Sequence, residues 1–457
     1  TLLEPCDEGV LLFNTKNGVQ AMIDANDPSF AEDLKILREN GNCEQIQHQA
    51  IKDLFCVEDD VDEAAVVMAS YYKKMFDPTD LAFIIMPNNS CNCRCIYCYQ
   101  DHDSKRMSDE TVENFLNAIK AYHRTTGIKH FYAEWFGGEP LVTYDILLRI
   151  TDSLSAFFAE NGIDYHFGAT TNGTLLTDDR IDYLLNHHFD FFQITVDGDR
   201  ETHNRTRPLA NGDDCWETIC NNLIAMHNRT NAKFRVSLRV NYNTDTFAGI
   251  PELFSFIREN LDDRFGIFFH SIGKWGGKND DCFEVVDASV EPVTTLLLMD
   301  EAIEYGIQPE TNYDFFSPFH RVCYAGLPYH FTIGTDGKLR KCNEEDEKCD
   351  RFNIVGTVEN GVIELDINRW SRFVLPAGCA SLPKRCEACV YLPICFAQGC
   401  PKSRIQNDEN TCPRDFTIMP EVLLNKYRFW KKKHTRLSRM KRNLLSMKTE
   451  KPWQTFT

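Results

Sequence analysis

Apolar stretches long enough to cross a bilayer are missing from this sequence. The longest, such as Leu81 to Pro87 and Leu296 to Met299, stop far short of the roughly 20 residues a spanning helix needs. No charged start followed by an apolar block opens the chain, so no secretory signal and no membrane association is expected, and the expected compartment is the cytoplasm. Positive charge is in short supply too: the formal net charge is -19 at pH 7. A surface so acidic repels a phosphate backbone, which argues against nucleic acid as the partner. Solenoid repeats and low-complexity segments are absent as well. What remains, 43% hydrophobic and 26% charged over 457 residues, is the composition of a soluble protein with room for several domains.

Cysteine, by contrast, is abundant, with 19 residues. An odd count without a secretory signal favours reduced thiols over a disulfide framework, and thiolates at short spacing in a reduced compartment bind metal, as zinc or iron-sulfur clusters. The stretch "NNSCNCRCIYCYQD" carries Cys91, Cys95 and Cys98 at spacing Cys-x3-Cys-x2-Cys. Three thiolates from one loop can wrap one face of a four-iron cube and leave its last iron open. Cys93 lies between them and is expected to point away. A second constellation follows: Cys323, Gly337 and Cys342, then Cys386, Cys389, Cys395 and Cys400, and finally Cys412. Cys6, Cys43, Cys56, Cys215, Cys220 and Cys282 show no metal spacing and are read as core or exposed thiols.

Four segments are expected. Residues 1–77 open with "GVLLFNTKNGVQAMID", apolar runs around a turn, followed by the helical patterns "SFAEDLKILREN" and "DEAAVVMASYYKKMF". That reads as a winged-helix-like module. Over 78–318, six strand-like runs ("LAFIIMP", "HFYAEWF", "YHFGATT", "FFQITVD", "RVSLRVN", "GIFFHSI") alternate with amphipathic helices. This predicts an α/β fold, a partial (β/α)6 barrel with functional groups at the strand ends. Residues 319–415 turn to cysteines, glycines and short turns, as where metals replace part of a core. Residues 416–457 form a basic tail with Lys431, Lys432, Lys433, Arg436, Arg439, Lys441 and Arg442, either a solvated helix or a docking arm for an acidic segment.

The thiol triple, with Tyr97 before its last cysteine, resembles the hallmark of the radical S-adenosylmethionine (radical SAM) superfamily. Gly137, Gly138, Glu139 and Pro140 at the end of the next strand are similar to its Gly-Gly-Glu-Pro motif, which holds the amino group of S-adenosylmethionine. "TTNGTLL" and "ITVDGDRETHNRTRP" match the peptide-modifying branch. The resemblance implies a hydroxyl near the cofactor at Thr195 and a carboxylate-binding arginine at Arg207, with Arg205 an alternative fork. Arg239 and Asn241 are either further cofactor contacts or structural strand-end residues. The cofactors implied are S-adenosylmethionine and a 4Fe-4S cluster whose electron cleaves it to a radical that abstracts hydrogen.

The later cysteines resemble the SPASM domain, one residue longer before Cys400 than the family spacing. By that pattern Cys323, Cys342 and Cys400 hold one auxiliary 4Fe-4S cluster, and Cys386, Cys389, Cys395 and Cys412 a second, making three clusters in all. The first lacks a ligand, for which Cys349, Cys379 or an open site are the options. The N-terminal module resembles the leader-recognition domain of maturases of ribosomally made peptides. The implied partners are a precursor peptide with a leader and an electron donor such as flavodoxin or ferredoxin. The implied reaction is an intramolecular cross-link, a thioether or a carbon-carbon bond. Two other readings stand beside it. A sulfatase-maturing formylglycine-forming enzyme has an aspartate where this chain has Asn343, and a further cysteine that "YAGLPY" lacks. A zinc-stapled peptide-binding scaffold would do no chemistry. The carboxylates Glu134, Asp197 and Asp199 remain unranked as acids or bases.

Overall fold

The apolar runs either side of Lys16, Asn17 and Gly18 pair as a hairpin. In the computed structural model, which describes residues 1–24, 26–39, 42–58, 60–274, 278–310, 322–343, 350–376, 382–407, 412, 414–441 and 454–456, β1 (Leu2–Cys6) runs antiparallel to β2 (Gly9–Phe13), and β2 to β3 (Gln20–Ile23). Gly18 has φ 74° at the turn, a left-handed conformation that favours glycine. Three helices follow, Ala31–Glu39, Gln49–Phe55 and Glu63–Met75. Val10, Leu12, Ile23, Phe30, Leu34, Ile51 and Phe55 build the core between sheet and helices.

This segment belongs to the first of two compact units, with the described residues of 311–323 and 375–457; the second unit holds 76–310 and 324–374. The domain boundary expected between 318 and 319 lies outside the described residues.

In the second unit all six expected β/α repeats are present. The strands are β4 (Asp80–Ile85), β5 (His130–Trp135), β6 (Asp164–Thr171), β7 (Phe189–Thr195), β8 (Arg235–Tyr242) and β9 (Phe265–Ser271), each parallel to the next. Helices such as Asp109–Thr126, Tyr144–Asn161 and Ile250–Asn260 connect them. Successive strand residues point to opposite faces, and the aromatic contacts identify the helix side. Phe83 meets Phe115 at 5.1 Å, Phe131 meets Phe158 at 4.6 Å, and Phe269 meets Phe254 at 6.0 Å between ring centroids. Each such buried ring contributes about 2 kcal/mol. Tyr132, Glu134, Phe268 and His270 alternate with these rings and so face away from the helices.

The sheet extends beyond the six strands. β10 (Pro309–Glu310) adds parallel to β9, and β11 (His330–Ile333) adds parallel to β4. From β11 the sheet continues antiparallel through β12 (Lys338–Arg340), β13 (Ile354–Glu359) and β14 (Val362–Leu365). The sequence does not disclose β10 and β11 because strands so short carry no readable alternation.

The rest of the first unit comprises the short helices Lys384–Glu387, Leu392–Cys395 and Pro401–Asn407, the long helix Met419–Lys441, and β15 (Gln454–Phe456), which pairs parallel to β3. Gln398 donates to the Tyr71 hydroxyl at 2.6 Å, and Thr15 to the Val390 carbonyl at 2.7 Å. Glu8 accepts from Tyr427 at 2.7 Å and pairs with Lys431. The basic run therefore begins on a helix packed against its own unit. The side chains of Arg436, Arg439 and Lys441, and Arg442 altogether, lie outside the described residues. Among the described residues no helix is long and apolar enough to cross a membrane.

Candidate active site

The loop after β4 and the loop after β5 lie backbone against backbone. A Cβ on Gly137 would stand 2.6 Å from the Asn88 carbonyl oxygen, and one on Gly138 2.2 Å from that of Ser90. Gly138 N–H donates to the Asn88 carbonyl at 3.2 Å, and Glu139 N–H to the Ser90 carbonyl at 2.9 Å. The glycine pair thus seats the thiol loop directly. Asn88, which the sequence did not single out, is fully buried and donates to the Glu139 carbonyl and to Thr143 at 3.0 and 2.7 Å. The Glu139 carboxylate is buried and accepts from Asn172 N–H, Thr171 and Leu141 N–H at 2.7, 2.8 and 3.0 Å. These bonds tie the ends of β5 and β6 together. Burial raises its pKa, and the same three donors oppose the rise.

Cys91, Cys95 and Cys98 share one partly exposed stretch. Burial, and then the nearness of Cys98 and Cys91, pushes the Cys95 thiol up to about 12, against the pull of Arg207. Asn172 donates weakly to Cys91 Sγ at 3.9 Å. Cys93 is 1% exposed and bridged to Leu209, and its thiol reaches both Cys215 and Cys91, so it does not point away from the other loop thiols as expected. Nothing in the spacing of "TTNGTLL" names Asn172 as the residue in contact with the loop. Its place follows from Gly173, whose φ of 79° turns the chain back toward the thiols.

Tyr97 is the hub beside the thiols. Its hydroxyl donates to Asp197 and accepts from Arg207 Nη1 and Asn241 Nδ2, each at 2.9 Å. Asp197 also accepts from Asn241 N–H at 2.9 Å and Thr206 at 3.2 Å. Burial disfavours the Arg207 cation, but Cys95, Tyr97 and Asp197 outweigh it and hold its pKa well above the usual value. Its Nε is buried and has no hydrogen-bond partner among the described residues. Arg205, the other fork, instead donates to the Asp245 carbonyl at the surface, at 2.8 Å. His203 Nδ1 accepts the Asp197 N–H at 3.2 Å, so its proton sits on Nε2, and burial holds its pKa well below the usual value. Thr195 is buried at the end of β7. Arg239 donates to Asn241 Oδ1 at 2.9 Å and lies 5.9 Å over the Phe268 ring.

Among the later cysteines, Cys386, Cys389, Cys395 and Cys412 all belong to the first unit. Burial raises the Cys386 thiol, and Cys389 and Cys412 raise it further. Burial likewise lifts Cys395 to about 11, with Cys412 and Cys386 adding to it. Cys386 thus lies near Cys389, Cys395 and Cys412, but among the described residues no three such side chains stand close enough to hold a single metal ion. Cys342 is buried in the second unit, and its N–H donates to Asn353 Oδ1 at 2.9 Å. Cys323 is half-buried and Cys400 exposed. Cys349 and Cys379 lie outside the described residues. Asn343 accepts from Tyr324 through its side chain and from Tyr99 through its carbonyl at 3.0 Å, so the residue after Cys342 is tied to the residue after Cys98.

Residues 85–271, from the end of β4 to the end of β9, match the model of the Radical SAM superfamily. The chain carries a radical SAM domain. Among curated proteins, Fe-coproporphyrin III synthase of Methanosarcina barkeri is 25% identical over 185 residues, 40% of this chain and 42% of that protein. The radical SAM cyclopropyl synthase TigE of Paramaledivibacter caminithermalis is 24% identical over 139 residues, 27% of this chain and 29% of that one. The chain thus spans less than half the length of these relatives. Two solved structures share the fold more fully. Native anSMEcpe with bound AdoMet and Cp18Cys peptide aligns with TM-score 0.55 at 16% identity, over 80% of this chain and 99% of that one. Streptococcus suis SuiB bound to precursor peptide SuiA aligns with TM-score 0.52 at 14% identity, over 91% and 97%.

The radical SAM domain implies S-adenosylmethionine and a 4Fe-4S cluster, and the residues fit both. Cys91, Cys95 and Cys98 stand in mutual electrostatic reach on one loop. Beside them the orphaned Arg207 Nε offers a buried donor for an anionic group.

Proposed function

We propose that this chain is a radical SAM maturase of a ribosomally made precursor peptide, forming an intramolecular cross-link, with a thioether ahead of a carbon-carbon bond. The observation that carries the reading is the seating of the thiol loop. The loop with Cys91, Cys95 and Cys98 rests on the Gly137–Gly138 backbone and is pinned through Tyr97 to Asp197, Arg207 and Asn241. When bound, S-adenosylmethionine and the reduced cluster supply a carbon radical able to remove hydrogen from unactivated carbon.

In this reading Cys91, Cys95 and Cys98 hold the cluster. Arg207 offers its fork to the cofactor carboxylate, and the strand-end residues Thr195, Arg239 and Asn241 with Gly137, Gly138, Glu139 and Pro140 line its seat. Cys386, Cys389, Cys395 and Cys412 hold one auxiliary cluster, and Cys323, Cys342 and Cys400 the other, as acceptors for the second electron of a net two-electron oxidation. The peptide substrate is argued from the fold shared with structures that hold Cp18Cys peptide and SuiA. The module of 1–77, with its small sheet, is the proposed leader-binding winged helix, and a flavodoxin or ferredoxin the proposed electron donor. Against formylglycine formation stands Asn343, an amide that cannot take a proton as a carboxylate does.

Anaerobic co-expression with the short peptides encoded beside its gene tests the reading. Loss of a hydrogen pair per modified site supports cross-linking. The mass change of formylglycine, or an unmodified peptide with no cleavage of S-adenosylmethionine, overturns it.

A further inference from the structure

The three carboxylates that the sequence leaves equal are separated by their surroundings. Asp197 is fully buried and saturated, accepting from Tyr97, from Thr206 and from both nitrogens of Asn241. Asp199 caps the helix Arg200–Thr206 through Thr202 N–H at 2.8 Å. Both are committed to holding the fold.

Glu134 is not. In β5 it alternates with Phe131, Ala133 and Trp135, which are buried on the helix side, so it stands on the opposite face with Tyr132. One carboxylate oxygen accepts from Thr170 on β6 at 2.5 Å. Among the described residues the carboxylate has no other hydrogen-bond partner and no ion pair. The Tyr132 hydroxyl lies over Gly168, where a Cβ would approach it to 2.4 Å, and it too has no hydrogen-bond partner among the described residues. The same holds for the Gln193 amide, which strand register sets beside Thr170. β5 and β7, either side of β6, thus present polar groups without side-chain partners among the described residues on one face of the barrel sheet. These residues are half-buried, so solvent can reach them, and a bound peptide with its own donors and acceptors can take the place of that solvent.

We propose that Glu134 is the proton acceptor for the substrate, taking the S–H proton of a peptide cysteine as its sulfur is prepared for thioether formation, with Thr170 positioning the carboxylate. The inference rests on the function proposed above and narrows it to a thiol substrate. In the step itself the S–H bond breaks and an O–H bond forms. A neutral thiol and a carboxylate become a thiolate and a carboxylic acid, and no electron is exchanged. The surroundings suit the task. Burial raises the Glu134 pKa and only Thr170 opposes it, which brings its proton affinity nearer that of a thiol, ordinarily about 8.5. The groups facing it are Tyr132 on its own strand, Thr170 on β6 and Ile84, its register partner on β4. Of these only Tyr132 titrates, and burial first, then the Glu134 charge, holds its pKa well above the usual value.

The test compares the reconstituted wild-type enzyme with Glu134→Gln, Glu134→Asp and Thr170→Val, using the peptide encoded beside its gene as probe. Expected for Glu134→Gln is a fall of about 100-fold in cross-linked peptide formed per 5′-deoxyadenosine, with loss of the acid limb of the pH profile. Glu134→Asp should restore part of both. A ratio and pH profile unchanged in Glu134→Gln overturn the assignment. Iron content and circular dichroism identify a misfolded variant. In that case Thr170→Val decides, since a shifted acid limb supports the role and an unshifted one overturns it. A wild-type enzyme that cleaves no S-adenosylmethionine refutes the proposed function itself, whereas a cross-linking Glu134→Gln refutes only the role of this residue.

Discussion

Tyr97, inside the thiol loop, donates its phenolic hydrogen to Asp197, two residues beyond the end of β7, and so fastens the loop after the first parallel strand to the end of the fourth. Arg207 and Asn241 converge on the same oxygen. Tyr97→Phe removes the hub and leaves three buried polar groups each short of a bond. The expected loss is about 2–4 kcal/mol of stability, read as a lower urea midpoint, together with faster iron release to a chelator. An unchanged chelation rate would show that the network does not hold the loop.

The glycine contact makes a second prediction. Gly138→Ala drives a methyl into the Ser90 carbonyl, so the two loops must part, and cofactor cleavage is expected to drop by at least about 100-fold, since small displacements of reacting groups are that costly. Gly127→Ala is the matched control. Its φ is 69° with nothing within 4 Å, so it costs only the left-handed conformation, about 1–2 kcal/mol, and leaves cleavage intact.

The thiols divide in the same way. Cys91→Ala is expected to take away about a third of the brown absorbance of the reconstituted protein, the share of one cluster in three. Cys93→Ala should keep all of it while lowering stability by about 1–2 kcal/mol for the small cavity left in a buried site. Absorbance spectra and melting temperatures of the two variants check the pair.

A pH dependence follows from the turn between β11 and β12. Burial alone would raise the Asp336 carboxyl, but paired hydrogen bonds from Arg340, both at 3.0 Å, hold it down at about 2. Because the folded pKa lies below the unfolded value of about 3.9, the stabilisation is complete above that value and is lost as pH falls through about 2. Asp336 keeps 32% of its side-chain surface exposed, so solvent screening limits the contribution to about 1–2 kcal/mol. The difference in urea midpoint between wild type and Asp336→Asn should stay constant from about pH 6 to about pH 4.5 and shrink as pH falls from about 4 toward 2.

The sequence alone determined the repeating β/α units, the thiol loop and its resemblance to radical SAM enzymes, because periodicity and ligand spacing are local properties of a chain. Local information read Cys93 as pointing away from the other loop thiols, whereas packing brings its thiol within reach of Cys91. It could not choose between Arg205 on a short helix and Arg207 just past its end, since only packing turns one toward the thiols and the other toward solvent. It assigned Gly137 and Gly138 to a ligand's approach, and only the tertiary structure adds that they press against the thiol loop. It also left Glu134 level with Asp197 and Asp199. A carboxylate's role depends on how many donors reach it, and those donors arrive from β6, β8 and the helix after β7, which no spacing within one strand records.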